Sequence, residues 1–420
     1  MTDLAALDLA HVIHPHAVVG RAAEPLIWAR GEGARLWDID GNEYVDGTCG
    51  LWQCAVGHGR AELADAAAAQ IRQLEFYASF WDYSNEPSIR LAARLADLSP
   101  AGLDRIFFTN GGSEGIETAI KIVRLAWHAQ GQPDRDVILS RKAAYHGVAS
   151  ASLAATGIPP LKEGFDPLPQ GFVHLSTPTS STSTDELVAE LERTIAEIGA
   201  DRIAAMIGEP VLGVGGMIPP PDGYWPRVQE VLRAHGILLV LDEIVTAYGR
   251  TGHWFAAERY GLQPNVLVTA KALTSGYIPM GAVLIHDDVV AMLEGTAFRH
   301  GFTYNGHPVG AAVALANLGI IEREGLLQRA VEIGGRLLDG LKPAEQLDAV
   351  AEVRGVGAML AVELASGHDA EGVGADARQQ GVIVRATGQK IVLSPPLVIE
   401  PDQADRIVEV LGGALQRLGS

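Results

Sequence analysis

Between residues 104 and 270, short apolar runs alternate with stretches whose apolar residues recur at helical spacing. DRIFFT (104–109), DVILS (136–140), RIAAMIG (202–208), GILLVLD (236–242) and NVLVTA (265–270) predict buried strands. GSEGIETAIKIVRLAWHA (112–129) repeats Ile116, Ile120, Val123 and Trp127 along one face, which predicts a helix, and 185–198 and 222–235 read the same way. Strand–helix alternation predicts an α/β fold with a mainly parallel sheet covered on both faces. The polar stretch STPTSSTST (176–184) reads as a surface loop, because the alternation resumes after it.

The flanks read differently. ARLWDI and NEYVD alternate around Asp40-Gly41, a dipeptide suited to the turn of an antiparallel hairpin. Helices are expected at 60–73 and at 87–98, the second with Pro87 in its first turn. After about 306 a long apolar helix (309–322) leads to helices at 326–341 and 402–417, with short strands near 358–364, 382–384 and 391–393. The expected organisation is a large domain over 56–306 and a smaller α+β domain built from both chain ends, 1–55 and 307–420.

Composition narrows the class. With 420 residues, 48% hydrophobic and 20% charged, the chain has the make-up of a soluble globular enzyme. Its 51 acidic against 32 basic residues leave a net charge of −19, which repels phosphate backbones and anionic lipid; nucleic acid and membrane surfaces are not expected partners. Two cysteines, Cys49 and Cys54, exclude a disulfide framework or a multi-cysteine zinc module and read as buried thiols. No apolar run approaches a membrane span, and the first residues carry Asp3 and Asp8 in place of a basic leader, so a cytoplasmic location is expected. His11, His14 and His16 lack the partners of a metal site, and no metal is expected.

Two motifs carry chemistry. GILLVLDEI ends in Asp242 and Glu243, and the next buried strand delivers Lys271 at its end, one of only six lysines in the chain. Ligands of open α/β sheets sit beyond the carboxyl ends of the strands, so an acid and a lysine there can face one cavity. A desolvated lysine is nucleophilic enough for a Schiff base. A structural Asp–Lys pair, or a lysine in solvent, would read the same. TNGGSEG (109–115) opens a helix just after a strand, where glycine backbone and helix N-terminus favour an anion. It has neither a Gly-Lys-Ser/Thr nor GxGxxG, so a phosphate-bearing cofactor is implied and a nucleotide is not. An ordinary strand–helix turn is the alternative.

Lysine, anion cradle and ring-facing acid together make a set that resembles a known family. The chain resembles the class III aminotransferases, pyridoxal 5′-phosphate enzymes of fold type I, and within them the omega-amino acid:pyruvate and (S)-selective amine transaminases. The resemblance runs through GEGARLWDIDGNEYVDG, GLWQCAVGHG, TNGGSEG, AYHG, GEPVLGVGGMIPP, VLDEIVTAYGRTG, TAKALTSGYIPMGA, HGFTYNGHP and VRATGQKIVLSPP, nearly the whole chain.

It implies that Lys271 is the Schiff-base lysine and proton carrier, and that Asp242 partners the pyridine nitrogen. It implies that Gly112 and Ser113 hold the phosphate, that Tyr145 and Ile244 flank the ring, and that Glu209 lies near the ring hydroxyl. Thr303 resembles a threonine that reaches the neighbouring subunit's phosphate, which implies a homodimer or higher oligomer with shared sites. Trp52, Phe80, Trp81 and Tyr145 match a substrate wall, and Arg385 matches a movable arginine that pairs with a keto acid carboxylate. The partners implied are a small amino donor and a carbonyl acceptor such as pyruvate. Val214 and Val245 stand where ornithine and 4-aminobutyrate aminotransferases carry a glutamate and a glutamine. Ala272 and Leu212 also depart from the family pattern, with no consequence assigned. A decarboxylase or racemase on the same scaffold would use the same lysine and acid.

Overall fold

The computed structural model describes residues 4–20 and 25–418; Asp3 lies outside them. Seven strands form one sheet in the order Arg105–Thr109, Gly281–Ile285, Val266–Thr269, Leu238–Asp242, Ile203–Gly208, Val137–Arg141, Phe172–Leu175. Six run parallel, and Gly281–Ile285 runs antiparallel to both its neighbours.

The continuous apolar runs are explained by burial on both faces. Along Leu238–Asp242 the side chains alternate between two cores. Leu238 and Val240 pack with Ile116, Ile120 and Val123 of the helix Gly112–Ala129, while Leu239 and Leu241 join the larger core on the opposite face. Each such side chain contributes about 1.5–3 kcal/mol on leaving water.

Two strands of this sheet escape the sequence pattern. Phe172–Leu175 is an edge strand with only Leu175 buried, so it carries no apolar run. Gly281–Ile285 returns antiparallel with only the single 3₁₀ turn Lys271–Leu273 between, which breaks the strand–helix rhythm.

The ends of the chain meet. Arg35–Asp38 and Glu43–Asp46 form the expected hairpin, with Gly41 at φ +86°. Asp38 Oδ1 accepts from Asp40 N and Asn42 N at 3.0 and 2.8 Å, closing the turn. Glu43–Asp46 then pairs in parallel with Val382–Ile383, setting Val45 beside Val382. A second sheet, Val350–Val356, Met359–Leu364, Lys390–Leu393 and Arg385–Thr387, packs with Leu326–Leu341, Ala370–Gln379 and Pro401–Leu418 around Leu337, Val362, Ile391 and Leu411.

The long helix Pro308–Arg323 packs on the larger body, its Ala314, Leu318 and Ile321 belonging to the larger core. Its buried Asn317 donates to the carbonyls of Ala272 and Leu273 at 2.8 and 3.0 Å and accepts from Ser275 Oγ at 2.7 Å. That helix therefore anchors the turn beginning at Lys271.

Among the described residues no helix is long and apolar enough to cross a membrane. Of the two thiols, Cys49 is buried as expected, but Cys54 is only half-buried, because it borders a cavity with His58, Ser275 and Tyr277. His14 Nε2 pairs with Asp8 Oδ2 at 2.7 Å on the surface.

Candidate active site

Six residues gather beyond the carboxyl ends of the parallel strands. Asp242 ends Leu238–Asp242, Glu209 follows Ile203–Gly208, and Lys271 follows Val266–Thr269. Tyr145 and His146 lie on the loop after Val137–Arg141, and Gly112 opens the helix after Arg105–Thr109.

Asp242 is 3% exposed. Its Oδ1 accepts from Ile244 N at 3.1 Å, and its Oδ2 lies 2.7 Å from His146 Nδ1. The adjacent acid goes elsewhere: Glu243 accepts from Ala256 N and Ala257 N, both at 2.7 Å, and from Thr246 Oγ1 at 2.8 Å, anchoring the helix Ala256–Tyr260. Burial pushes the Glu243 carboxyl up to about 7, against those hydrogen bonds.

His146 is the residue the sequence reading passed over. It stands inside AYHG, where only Tyr145 drew a role, and nothing in sequence spacing ties it to Asp242. Thr156 Oγ1 accepts its backbone N–H at 2.8 Å, and its own Nε2 is buried without a partner.

Glu209 accepts from Tyr145 N at 3.0 Å and Gly213 N at 2.8 Å. Burial raises its pKa, with the nearby His146 opposing. Burial likewise raises the Tyr145 phenol, reinforced by Asp242. Lys271 has φ +42°, a left-handed conformation that costs a side-chain-bearing residue about 1–2 kcal/mol. Such strain persists only where surrounding contacts enforce it, here the Asn317 anchor. Burial lowers the Lys271 ammonium pKa, while Asp242 and Glu209 raise it.

The helix start is shaped for an anion. Gly111 precedes it without a side-chain cap, and Glu114 reaches back to Asn110 N at 2.9 Å, leaving the first-turn amides without intrahelical acceptors. A Cβ on Gly112 would lie 2.7 Å from Ile244 Cδ1, so glycine lets that isoleucine close over the turn. Ser113 Oγ accepts from Val148 N at 3.2 Å, drawing the helix start to the Tyr145 loop.

Trp52 forms the next wall. Cys49, Gly50, Leu51 and Trp52 are four consecutive residues with φ between +53° and +68°. Asp46 steadies this turn by accepting from Thr48 N and Gly50 N at 2.9 and 3.0 Å. Lys271 Nζ lies 5.8 Å, and Arg385 Cζ 4.9 Å, from the Trp52 ring centroid. Arg385 makes no ion pair among the described residues, and burial lowers its pKa. Val245, with Val214 packed beside it, shares with Trp52 and Val392 a small apolar cluster distinct from the larger cores.

Three of the expected residues lie in a different group. Phe80 is half-buried against Gly301, Trp81 is 88% exposed, and Thr303 is exposed in the turn before Pro308–Arg323. Their segments are tied to each other by Ser79 Oγ to Asn305 O at 2.6 Å and Asn85 Nδ2 to Gly306 O at 2.8 Å.

The first group fits pyridoxal phosphate. It offers an anion-ready helix start, a buried carboxylate with acceptor capacity to spare, a lysine whose Nζ has no hydrogen bond among the described residues, and orphaned buried polar atoms at His146 Nε2 and Trp52 Nε1.

The Aminotransferase class-III family profile matches residues 18–415. The putrescine–pyruvate aminotransferase of Pseudomonas aeruginosa is 40% identical, over 91% of this chain and 88% of that protein. The gamma aminobutyrate transaminase 1 of Solanum lycopersicum is 37% identical, over 94% and 82%. The crystal structure of an (S)-enantioselective omega-transaminase from Thermomicrobium roseum superposes with a TM-score of 0.97 at 45% identity, covering 100% of this chain and 99% of that one. The fold is therefore that of the fold type I transferases, and the expected mainly parallel seven-stranded sheet is present. With the fold, the match along nearly its full length and a site fitted to pyridoxal phosphate, the chain belongs to the class III aminotransferases.

Proposed function

We propose that this aminotransferase moves an amino group between an amine or omega-amino acid and a keto acid such as pyruvate, in two half-reactions sharing one site. The observation that carries the substrate reading is Arg385, which rests over Trp52 without a carboxylate partner and beside Lys271. A guanidinium binds a carboxylate bidentately, and the apolar Trp52, Val214 and Val245 surface suits a donor that has none. The name of the Pseudomonas protein supports the pairing of an amine with pyruvate, the Thermomicrobium protein supports an omega-transaminase, and the tomato protein supports an omega-amino acid donor. Decarboxylation or racemisation on this scaffold is not favoured.

When bound, pyridoxal phosphate supplies an electron-withdrawing ring and carries the amino group between the half-reactions. Asp242 would hold a proton on the ring nitrogen, its own carboxylate fixed by His146 and Ile244 N. Gly112 and Ser113 would hold the phosphate, Ile244 and Tyr145 would enclose the ring, and Glu209 would stand near its hydroxyl. Lys271 would bind the cofactor and move the substrate Cα proton; burial favours the neutral amine that this requires.

Arg385→Ala should raise the apparent KM for pyruvate and alanine roughly tenfold to a hundredfold, the worth of a charge-assisted hydrogen bond. The half-reaction of a simple arylalkylamine should change little. Equal losses for both substrates, in half-reaction spectra, would assign Arg385 to the fold or the cofactor instead.

The proposal includes a homodimer or higher oligomer in the cytoplasm, with residues 1–55 and 307–420 as the small domain and 56–306 as the large one. Trp81, Tyr77, Tyr83 and Tyr304 expose large aromatic surface around Thr303, more than a solvated face favours. With the partner in place, Phe80, Trp81 and Thr303 would complete the neighbour's site. Sedimentation at assay concentration should give at least a dimer; a fully active monomer would refute the shared site.

A further inference from the structure

The loop after Ile203–Gly208 carries Glu209 and Val214 and closes through Gly216 N and Met217 N, which both donate to Gly213 O at 3.0 and 3.1 Å. Two cations of the C-terminal sheet grip its next carbonyls. Lys390 Nζ donates to Gly215 O at 2.6 Å, and Arg354 directs Nε and Nη2 to Gly216 O at 3.0 and 2.7 Å.

The cations are balanced. Arg354 Nη1 pairs with Glu352 at 2.7 Å and with Glu363 at 2.6 Å, and Glu363 stands opposite Lys390 in the sheet register. Two positive and two negative side chains thus form a neutral cluster, which offsets the cost of enclosing Arg354. The fit is close. A Cβ on Gly216, at φ +123°, would lie 2.6 Å from Lys390 Cδ, and one on Gly215 would lie 2.5 Å from Ala143 O. The loop is held between the Tyr145 segment on one side and the C-terminal sheet on the other.

Lys390 and Arg385 occupy the two arms of one hairpin, with Arg385 opposite Val392 and Thr387 opposite Lys390. The backbone that bears Arg385 is therefore fastened, through Lys390, to the loop that bears Val214. That hairpin cannot slide outward without breaking the Lys390–Gly215 bond.

We propose that Lys390, backed by Arg354, is a positioning residue for substrate choice: it latches the Arg385 hairpin to the Val214 loop, so that carboxylate and amine substrates alternate by rotation of the Arg385 side chain on a fixed backbone. This rests on the reading of Arg385 as the carboxylate partner and extends it to the residues that set its reach. Bidentate pairing demands tight geometry, whereas contact with an apolar wall tolerates displacement. Releasing the latch should therefore penalise the keto acid selectively.

The test compares Lys390→Met, Lys390→Arg, Arg385→Ala and the Lys390→Met/Arg385→Ala double variant of the holoenzyme, with pyruvate and an arylalkylamine as probes. Lys390→Met should raise the KM for pyruvate about threefold to tenfold, with kcat and the amine KM within about twofold. Lys390→Arg should restore most of the loss, since a guanidinium can also donate to Gly215 O. In the Arg385→Ala background, Lys390→Met should add nothing.

An unchanged pyruvate KM, equal changes for both substrates, or an effect that persists without Arg385 would overturn the latch. Arg385→Ala alone decides the underlying reading: if it spares pyruvate, the carboxylate role of Arg385 has failed; if it does not and Lys390→Met is silent, only the latch has failed. Should Lys390→Met melt too early to assay, Lys390→Gln, which is neutral and one atom shorter than the lysine that reaches Gly215 O, serves the same comparison.

Discussion

Replacing Lys271 by alanine should lower amine-to-pyruvate turnover by on the order of 10³-fold or more, because in the proposed mechanism one change removes both the cofactor-binding amine and the base. The fold should survive. The neighbouring turn is held through Asn317 to the carbonyls of Ala272 and Leu273, which the substitution leaves in place. Alanine at φ +42° bears the same backbone strain as lysine, and no hydrogen bond of Nζ is lost among the described residues. Circular dichroism and thermal melting should therefore match the parent. A small primary amine added to the variant should recover part of the proton-transfer rate, a rescue that a merely structural lysine would not allow. Retained turnover in the purified variant would remove Lys271 from the chemistry.

Asp242→Asn should be the next most damaging change. The substitution is nearly isosteric, and an amide oxygen can still accept from Ile244 N. It brings two faults. A neutral amide cannot stabilise a protonated ring nitrogen, and its NH₂ would confront His146 Nδ1, which donates to Oδ2 in the parent. Stripping the counter-charge from a buried cation costs about 3–5 kcal/mol, or roughly 10²- to 10⁴-fold in rate. The loss should appear in kcat/KM for both substrate types, together with weaker retention of pyridoxal phosphate on gel filtration. A variant within a few-fold of the parent rate would contradict the role of the acid.

The elements that were legible in the sequence are those whose signal is local. Five buried strands, the helix Gly112–Ala129 and the hairpin around Gly41 follow from hydrophobic period and turn chemistry, and strand-end logic singles out Asp242 and Lys271. What stayed hidden depends on distant chain. Asp242 and Glu243 are neighbours with opposite destinies, one turned to the site and one to the helix Ala256–Tyr260, and no periodicity separates them. His146 lies 96 residues from Asp242 in sequence, and only folding brings the two to 2.7 Å. Lys390 draws no role from the sequence, because the Gly215 carbonyl it meets lies 175 residues away. The segments that carry Phe80 and Thr303 are likewise joined only by folding, through Ser79 Oγ to Asn305 O and Asn85 Nδ2 to Gly306 O, 226 and 221 residues apart.

The apolar patch of Trp52, Val214, Val245 and Val392 is small, and it is set apart from the two cores that carry the sheet. Side chains there can change volume without disturbing the alternating packing of Leu238–Asp242 or the Asn317 anchor. In evolutionary terms the molecule is modular at this point. A lineage can drift through new donors by remodelling a few residues, each costing little stability, without touching the lysine and the acid at the strand ends. Relatives of closely similar architecture can thus diverge in diet while sharing one chemistry.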